Sequence, residues 1–199
     1  WGLFRREAEQ LIRDGKVKIN GEIFNQYFVV NEKIQSILVL GRELKNEKNR
    51  MWIFNKPIGY VSSNKEQKNQ KSLFRLFPKY IPRVVTVGRL DVMSEGLMIV
   101  TNNPSIATFL ENPKNKIKRK YLVNVKGEIT KNLIDKTKKK LLINGQLYRK
   151  INLKVIYSKN NFHTLEIELF EGKNREIRKI LSHFDLKISK LKTYWIWTF

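Results

Sequence analysis

Two side chains suited to chemistry, Arg89 and Asp91, stand close together near the middle of the sequence. A carboxylate beside a guanidinium can act as a nucleophile or as a general base. Gly88 and Gly96 bracket the segment and an apolar run, Leu97 to Val100, follows it, so the pattern predicts an exposed turn in front of a buried strand. An aspartate in such a turn is also a common turn former or cap, and spacing alone does not separate that role from catalysis.

The residues around this pair carry a more specific signal. The segment VGRLDVMSEGLMIVTN resembles motif II of the pseudouridine synthases, in particular the branch that modifies ribosomal RNA. That pattern is G-R-L-D, two variable residues, Ser or Thr, then E-G-L, an apolar strand and T-N. The matching positions are Gly88, Arg89, Leu90, Asp91, Ser94, Glu95, Gly96, Leu97, Thr101 and Asn102. The resemblance implies that Asp91 is the catalytic carboxylate.

The reaction that the resemblance implies is the isomerisation of uridine to pseudouridine within an RNA chain. The glycosidic bond breaks, the uracil turns over, and a carbon–carbon bond forms to the same ribose. Because a paired base cannot reach a carboxylate, the nucleotide has to flip out, and Arg89 would fill the vacated space. The sequence leaves open whether Asp91 acts as nucleophile or as base. The resemblance implies neither a cofactor nor a metal.

A second stretch, GKNREIRK from Gly172 to Lys179, matches another motif of the family. By the resemblance, Arg178 lies beside the catalytic carboxylate and binds substrate, and we assign Arg175 to RNA binding. Tyr121, within RKYLV, matches a tyrosine that stacks on the target base. Without the family, Arg178 would be interpreted as a helix-surface arginine and Tyr121 as an ordinary buried tyrosine.

The first 44 residues predict a small α/β RNA-binding module. Apolar residues recur at helical spacing from Phe4 to Asp14, and Asn20-Gly21 is a strong hairpin signal. The stretch RREAEQLIRDGKVKING resembles the RNA-binding module named after ribosomal protein S4, whose usual first helix is missing, so we expect an incomplete N-terminus. The residues that the resemblance assigns to RNA contact are Arg5, Arg6, Lys16 and Lys18. A charged solvent face on a small helix is the alternative interpretation.

The expected fold class is α+β, with this module, a linker at 45–50 and a mainly antiparallel mixed-sheet pseudouridine synthase domain with flanking helices at 51–199. The predicted strands of that domain run from Met51 to Phe54, with Asn55-Lys56-Pro57 as the turn after it, from Lys118 to Val125 and from Lys187 to Leu191, and an antiparallel hairpin lies within 151–169. The predicted helices run from Pro104 to Glu111, from after Thr130 to near Lys140, and from Asn174 to Phe184. The end of the chain, LKTYWIWTF, departs from the family pattern and is expected to be atypical.

Composition points to a polyanionic partner. Forty Lys plus Arg against eighteen Asp plus Glu give a formal net charge of +22. Part of this excess has a second explanation, since the chain is rich in Lys, Asn and Ile, as AT-rich coding tends to produce. The absence of cysteine excludes disulfides, thiolate zinc sites and cysteine nucleophiles.

The partner expected from the resemblance is ribosomal RNA, with the large subunit favoured over the small. We expect a cytoplasmic monomer without a membrane segment or small-molecule cofactor. A catalytically inactive remnant that still binds RNA is the alternative function.

Overall fold

The computed structural model describes residues 5–25, 33–45, 47–64, 66 and 69–196, and for Arg5 and Ile196 it describes the backbone alone. The packing of the Cα trace divides the chain into two units, Trp1–Asn49 and Arg50–Phe199. No helix among the described residues is long and apolar enough to cross a membrane.

The smaller unit packs one helix with a four-stranded antiparallel sheet. Its elements are α1 (Arg5–Arg13), β1 (Val17–Ile19), β2 (Glu22–Ile23), β3 (Ile37–Val39) and β4 (Arg42–Glu43), and the strand order is β2-β1-β3-β4. Asn20 and Gly21 both have positive φ, as a two-residue hairpin turn requires, so the predicted hairpin is present. Val17 pairs with Val39, and both side chains are buried.

The larger unit contains eleven described strands and three described α-helices. The strands are β5 (Met51–Lys56), β6 (Tyr60–Val61), β7 (Lys71–Ser72), β8 (Val85–Thr86), β9 (Glu95–Thr101), β10 (Arg119–Lys126), β11 (Leu141–Ile143), β12 (Gln146–Tyr148), β13 (Asn152–Lys159), β14 (Phe162–Leu169) and β15 (Lys187–Ile196). The helices are α2 (Pro104–Glu111), α3 (Lys131–Thr137) and α4 (Glu176–His183), and single 3-10 turns cover Leu73–Leu76 and Pro113–Asn115.

The main sheet has the order β13-β14-β10-β15-β9-β5, and β8 also pairs with β9. Each of these pairs is antiparallel except β15 with β9, which is parallel. The expected α+β class with a mainly antiparallel mixed sheet is therefore confirmed. Alternate side chains of the central strands, such as Val123 and Leu165, are fully buried and pack in one core with Ile180 and Leu181 of α4.

The parallel junction between β9 and β15 depends on a glycine. Gly96 pairs with Thr193 and has φ +107°, a conformation that side chains disfavour. A Cβ at this position would lie 2.1 Å from the carbonyl oxygen of Thr193, which cannot move away because it belongs to the sheet. Gly96 thus lets β9 approach β15, and the loop before β9 reaches the middle of the sheet.

Several element boundaries differ from the sequence predictions. Asn55 and Lys56 continue β5 instead of forming a turn. The helix after Thr130 ends at Thr137 instead of near Lys140. It is followed by an unpredicted hairpin of β11 and β12 around Asn144 and Gly145, both with positive φ. The last helix begins at Glu176 instead of Asn174, and the last strand extends to Ile196 instead of ending at Leu191.

Candidate active site

Asp91 lies in the loop between β8 and β9, and the backbone on both sides of it is tied down. Its carbonyl accepts a hydrogen bond from the Ser94 amide at 2.9 Å, which closes a tight turn. The Ser62 hydroxyl donates to the Leu90 carbonyl at 3.0 Å, and the Gly59 amide donates to the Val92 carbonyl at 2.9 Å. The loop therefore presents the Asp91 side chain from a fixed backbone.

Lys56 forms hydrogen bonds with the backbone of the same loop. Its side chain is fully buried, and Nζ donates to the carbonyls of Pro57 at 3.0 Å, Asp91 at 3.2 Å and Ser94 at 2.9 Å. Burial lowers the pKa of this ammonium from 10.5 to about 8, while the Asp91 charge acts in the opposite direction. One buried cation thus satisfies three carbonyls, two of them within the Asp91 loop.

Two guanidinium groups approach the Asp91 carboxylate from the start of α4. Asp91 Oδ2 lies 3.4 Å from Nε of Arg178 and 3.6 Å from Nη1 of Arg175. The Arg178 side chain is 17% exposed, and its Nη2 donates to the Met93 carbonyl at 2.8 Å and to the Ser94 hydroxyl at 3.2 Å. Arg178 therefore clamps the turn that carries Asp91 as well as facing its carboxylate, and it is not the solvent-facing arginine of the alternative interpretation.

The local backbone explains how both arginines reach one carboxylate. Arg175 has φ +52° and ψ +33°, a left-handed conformation at the residue before α4. This residue turns the chain sharply into the helix, so Arg175 and Arg178, three positions apart, project to the same side. The arrangement combines an irregular helix start with ordinary helical spacing.

A small cavity lies against this cluster. It has a volume of about 70 Å³ and adjoins a larger cleft of about 1060 Å³ that shares Arg89, Asp91 and Arg175 with it. Tyr121, on β10, lines the inner cavity, and burial raises its pKa to about 12. Arg89 is exposed and lines both spaces. The site thus combines a carboxylate, cations and a neutral aromatic ring at an open cleft.

A buried pair of carboxyl groups supports the loop before α4. Glu171 and Glu176 are 6% and 4% exposed. The Arg149 amide donates to Glu171 at 2.8 Å, and the Lys173 amide donates to Glu176 at 2.9 Å. Burial raises the pKa of Glu176 to about 8, assisted by its hydrogen bond to Glu171.

Glu171 shifts in the opposite direction. Burial alone would raise its pKa, but the hydrogen bonds from the Arg149 amide and Glu176 and the nearby Lys173 charge lower it. The pair therefore holds one proton on Glu176. Apart from Glu171, Oε1 of Glu176 has no hydrogen-bond partner among the described residues, which favours the protonated form of this carboxyl.

The structure brings together five residues that the sequence singled out. Around the inner cavity lie Arg89, Asp91, Tyr121, Arg175 and Arg178. The four residues that the sequence assigned to RNA contact in the first module belong to the smaller unit. Arg6, Lys16 and Lys18 are exposed there, and the Arg5 side chain lies outside the described part.

Sequence reasoning missed Lys56, Ser62 and the carboxyl pair. Lys56 belongs to the N-K-P stretch interpreted as a turn, and Ser62 lies outside the predicted elements. The apolar run ends at Phe54, so no periodic pattern in the sequence extends the strand to Lys56. Neither residue's burial has a local signal, because each is covered by the Asp91 loop, which is distant in sequence.

Comparisons with known proteins show the family of this chain. The family model for RNA pseudouridylate synthase matches residues 50–183, and the S4 domain model matches residues 4–33. The chain is 39% identical over 188 residues to an uncharacterised RNA pseudouridine synthase of Rickettsia bellii, covering 94% of this chain and 81% of that protein. It is 30% identical over 190 residues to the ribosomal large subunit pseudouridine synthase B of Bacillus subtilis, covering 94% and 78%.

A solved structure gives the same result for the fold. The crystal structure of a pseudouridylate synthase superimposes with a TM-score of 0.69 at 23% identity, covering 98% of this chain and 84% of that one. The family model spans more than half of the chain, and the curated relatives match over most of their own length. The chain therefore belongs to the RNA pseudouridine synthase family, as an isomerase whose catalytic domain follows an S4 domain.

Proposed function

We propose that this RNA pseudouridine synthase isomerises a uridine of ribosomal RNA, and that the target lies in the large subunit. The substrate class is supported by the name of the Bacillus subtilis relative and by the S4 domain. A cytoplasmic location belongs to the same proposal, since the named relatives are bacterial and bacterial ribosomal RNA is in the cytoplasm.

Asp91 is the catalytic carboxylate in this proposal, and one observation carries it. Its side chain faces both Arg175 and Arg178, within 3.6 Å, at the wall of a cavity open to solvent. As nucleophile the carboxylate attacks C1′ of the ribose, and as base it takes a proton from the ribose. Both routes require an ionised carboxylate in contact with the sugar, and two guanidinium groups compensate its charge.

The surrounding side chains have separate tasks. Tyr121 offers a flat ring that stays protonated and neutral at physiological pH, so it suits stacking on uracil. Arg89, exposed at the mouth of the cleft, occupies the space that the flipped nucleotide leaves. Arg178 holds Asp91 in place, and Arg5, Arg6, Lys16, Lys18 and Arg175 bind RNA.

The chemical balance of the reaction gives a direct assay. The N1–C1′ bond of uridine breaks, a C5–C1′ bond forms, the hydrogen on C5 leaves as a proton, and N1 gains a proton from solvent. Tritium placed on C5 is therefore released to water in proportion to product. No electron transfer or group donor enters this balance.

The test is Asp91→Asn, which keeps the shape of the side chain and removes its charge. With tritiated ribosomal RNA we expect release to fall to background while RNA affinity stays within about twofold, because the carboxylate acts on the ribose. Asp135→Asn, an exposed carboxylate on α3, is the matched control and should retain full release.

The outcomes are distinct. Tritium release by Asp91→Asn at the wild-type rate refutes the assigned role of Asp91. A wild-type chain that binds ribosomal RNA and releases no tritium behaves as the inactive remnant. Sequencing of pseudouridines in ribosomal RNA from cells with and without the gene then identifies the subunit and the position.

A further inference from the structure

A second basic cavity lies on the outer side of α4. It has a volume of about 380 Å³, and it lies between α4 and the turn of the β11–β12 hairpin. Its polar lining consists of Asn144, Arg175, Arg178, Lys179, Ser182 and His183. None of these side chains is a carboxylate, and each carries an N–H or O–H donor. Such a lining favours an anion.

Helical spacing arranges most of this lining as a ridge. Arg175, Arg178 and Ser182 follow one another at steps of three and four, and Lys179 and His183 are the next residues after the last two, so all five border one face at the start of and along α4. At a rise of 1.5 Å per residue the ridge is about 12 Å long. An extended anion such as a nucleic-acid strand fits this length better than a single small ion does.

The ridge is continuous with the active site. Arg175 and Arg178 line both this cavity and the cavity that contains Asp91. Arg178 is already engaged with Asp91, Met93 and Ser94. Because that guanidinium is committed to the loop, the remaining side chains of the ridge are the ones available to a ligand.

Lys179 is the cation best placed to change partner. Its Nζ lies 3.5 Å from Oε1 of Gln146, at the outer limit of a hydrogen bond, and the side chain is exposed. A phosphate oxygen would replace this weak contact with a charge-assisted hydrogen bond. Ser182 and His183 lie one turn further along the helix and extend the same surface.

We infer that this cavity binds a backbone phosphate of the substrate RNA next to the flipped uridine, with Lys179 as its principal cation. The inference rests on the proposed function, because it takes the Asp91 cavity as the place of the flipped nucleotide. It assigns an RNA contact to Lys179, the last residue of the GKNREIRK stretch, and to the face of α4 that follows it.

Salt dependence of binding tests the inference. The probe is a fluorescein-labelled oligouridine of about 12 nucleotides, titrated with the full chain at several salt concentrations. Each phosphate contact on a single strand contributes about 0.7 to the slope of log affinity against log salt. We expect Lys179→Ala to lower the slope by about 0.7, which reduces the loss of affinity between 50 and 200 mM salt by about 2.6-fold.

Two further variants make the result specific. Lys179→Arg keeps the charge and should restore the wild-type slope, so a loss caused by misfolding is separated from a lost contact. Lys136→Ala removes an exposed lysine from α3, away from both cavities, and should leave the slope unchanged. The inference is wrong if Lys179→Ala keeps the wild-type slope, or if Lys136→Ala lowers it equally.

The inference and the proposed function fail in different measurements. If the wild-type chain forms pseudouridine and Lys179→Ala binds with an unchanged slope, only the phosphate site is wrong. If Lys179→Ala lowers the slope and the wild-type chain releases no tritium, the RNA contact stands and the proposed function is wrong.

Discussion

Replacing Glu176 by glutamine should change how the stability of the protein depends on pH. The pKa of this carboxyl is raised from 4.5 to about 8, first by burial and then by the hydrogen bond to Glu171. Between about pH 4.5 and 8 the folded chain therefore holds a proton that the unfolded chain has released. Because the unfolded state binds fewer protons in this window, the free energy of unfolding of the wild type falls as pH rises.

The size of the effect follows from the shift. One proton of difference corresponds to about 1.4 kcal/mol per pH unit, so the wild type should lose about 2–3 kcal/mol between pH 5.5 and 7.5 from this group. Glu171 does not obscure the effect, because its pKa is lowered and its contribution changes below this window. Glutamine keeps an N–H donor toward Glu171 and cannot ionise. The stability difference, Glu176→Gln minus wild type, should therefore increase by about 2–3 kcal/mol across the same range.

Urea unfolding at pH 5.5, 6.5 and 7.5 measures this difference. Tryptophan fluorescence mainly follows the larger unit, which contains three of the four tryptophans, Trp52, Trp195 and Trp197. Glu128→Gln, an exposed glutamate, controls for the loss of one negative charge and should run parallel to the wild type. A Glu176→Gln difference that stays constant from pH 5.5 to 7.5 would falsify the shared proton and the support it gives to the loop before Arg175.

Two further substitutions test how the Asp91 loop is supported. Gly96→Ala should destabilise the larger unit by at least about 1–3 kcal/mol, because alanine disfavours this φ and its Cβ would contact Thr193. Thermal unfolding measures the loss of stability. An unchanged melting temperature would contradict the close approach of β9 and β15. Lys56→Met should lower the free energy of unfolding by about 3 kcal/mol or more and should also lower kcat, since three carbonyls lose their donor. Urea unfolding measures the change in stability. Unchanged stability would mean that water or another group satisfies these carbonyls.

Local signals in the sequence determined several elements. The helix Pro104–Glu111 occurs as predicted, with the Asn103 side chain accepting a hydrogen bond from the Ser105 amide at 2.8 Å. The hairpin at Asn20-Gly21 and the strand after the Asp91 loop also occur as predicted. A cap, a turn and an alternating strand are specified within a few residues, so their physics can be recognised without the rest of the chain.

Other elements carried a local signal that did not decide between alternatives. Asn144-Gly145 is the same hairpin signal as Asn20-Gly21, yet the polar lysines before it were interpreted as the end of a helix. Arg175 gives no sign in sequence of its left-handed backbone, because that conformation is favoured by the packing of α4 and not by the side chain. For these segments the tertiary environment selected one of several locally acceptable conformations.

By itself, the sequence indicated the family and the candidate site residues, since its motifs point by resemblance to Arg89, Asp91 and Arg178. Only the tertiary structure decided their geometry. Arg178 and the Met93 carbonyl are 85 residues apart in sequence, and they meet because β9 lies beside β15 and α4 packs on the same sheet. The burial of Lys56 and Glu176, and hence their shifted pKa values, has the same origin, since the segments that exclude water from them are distant in the chain.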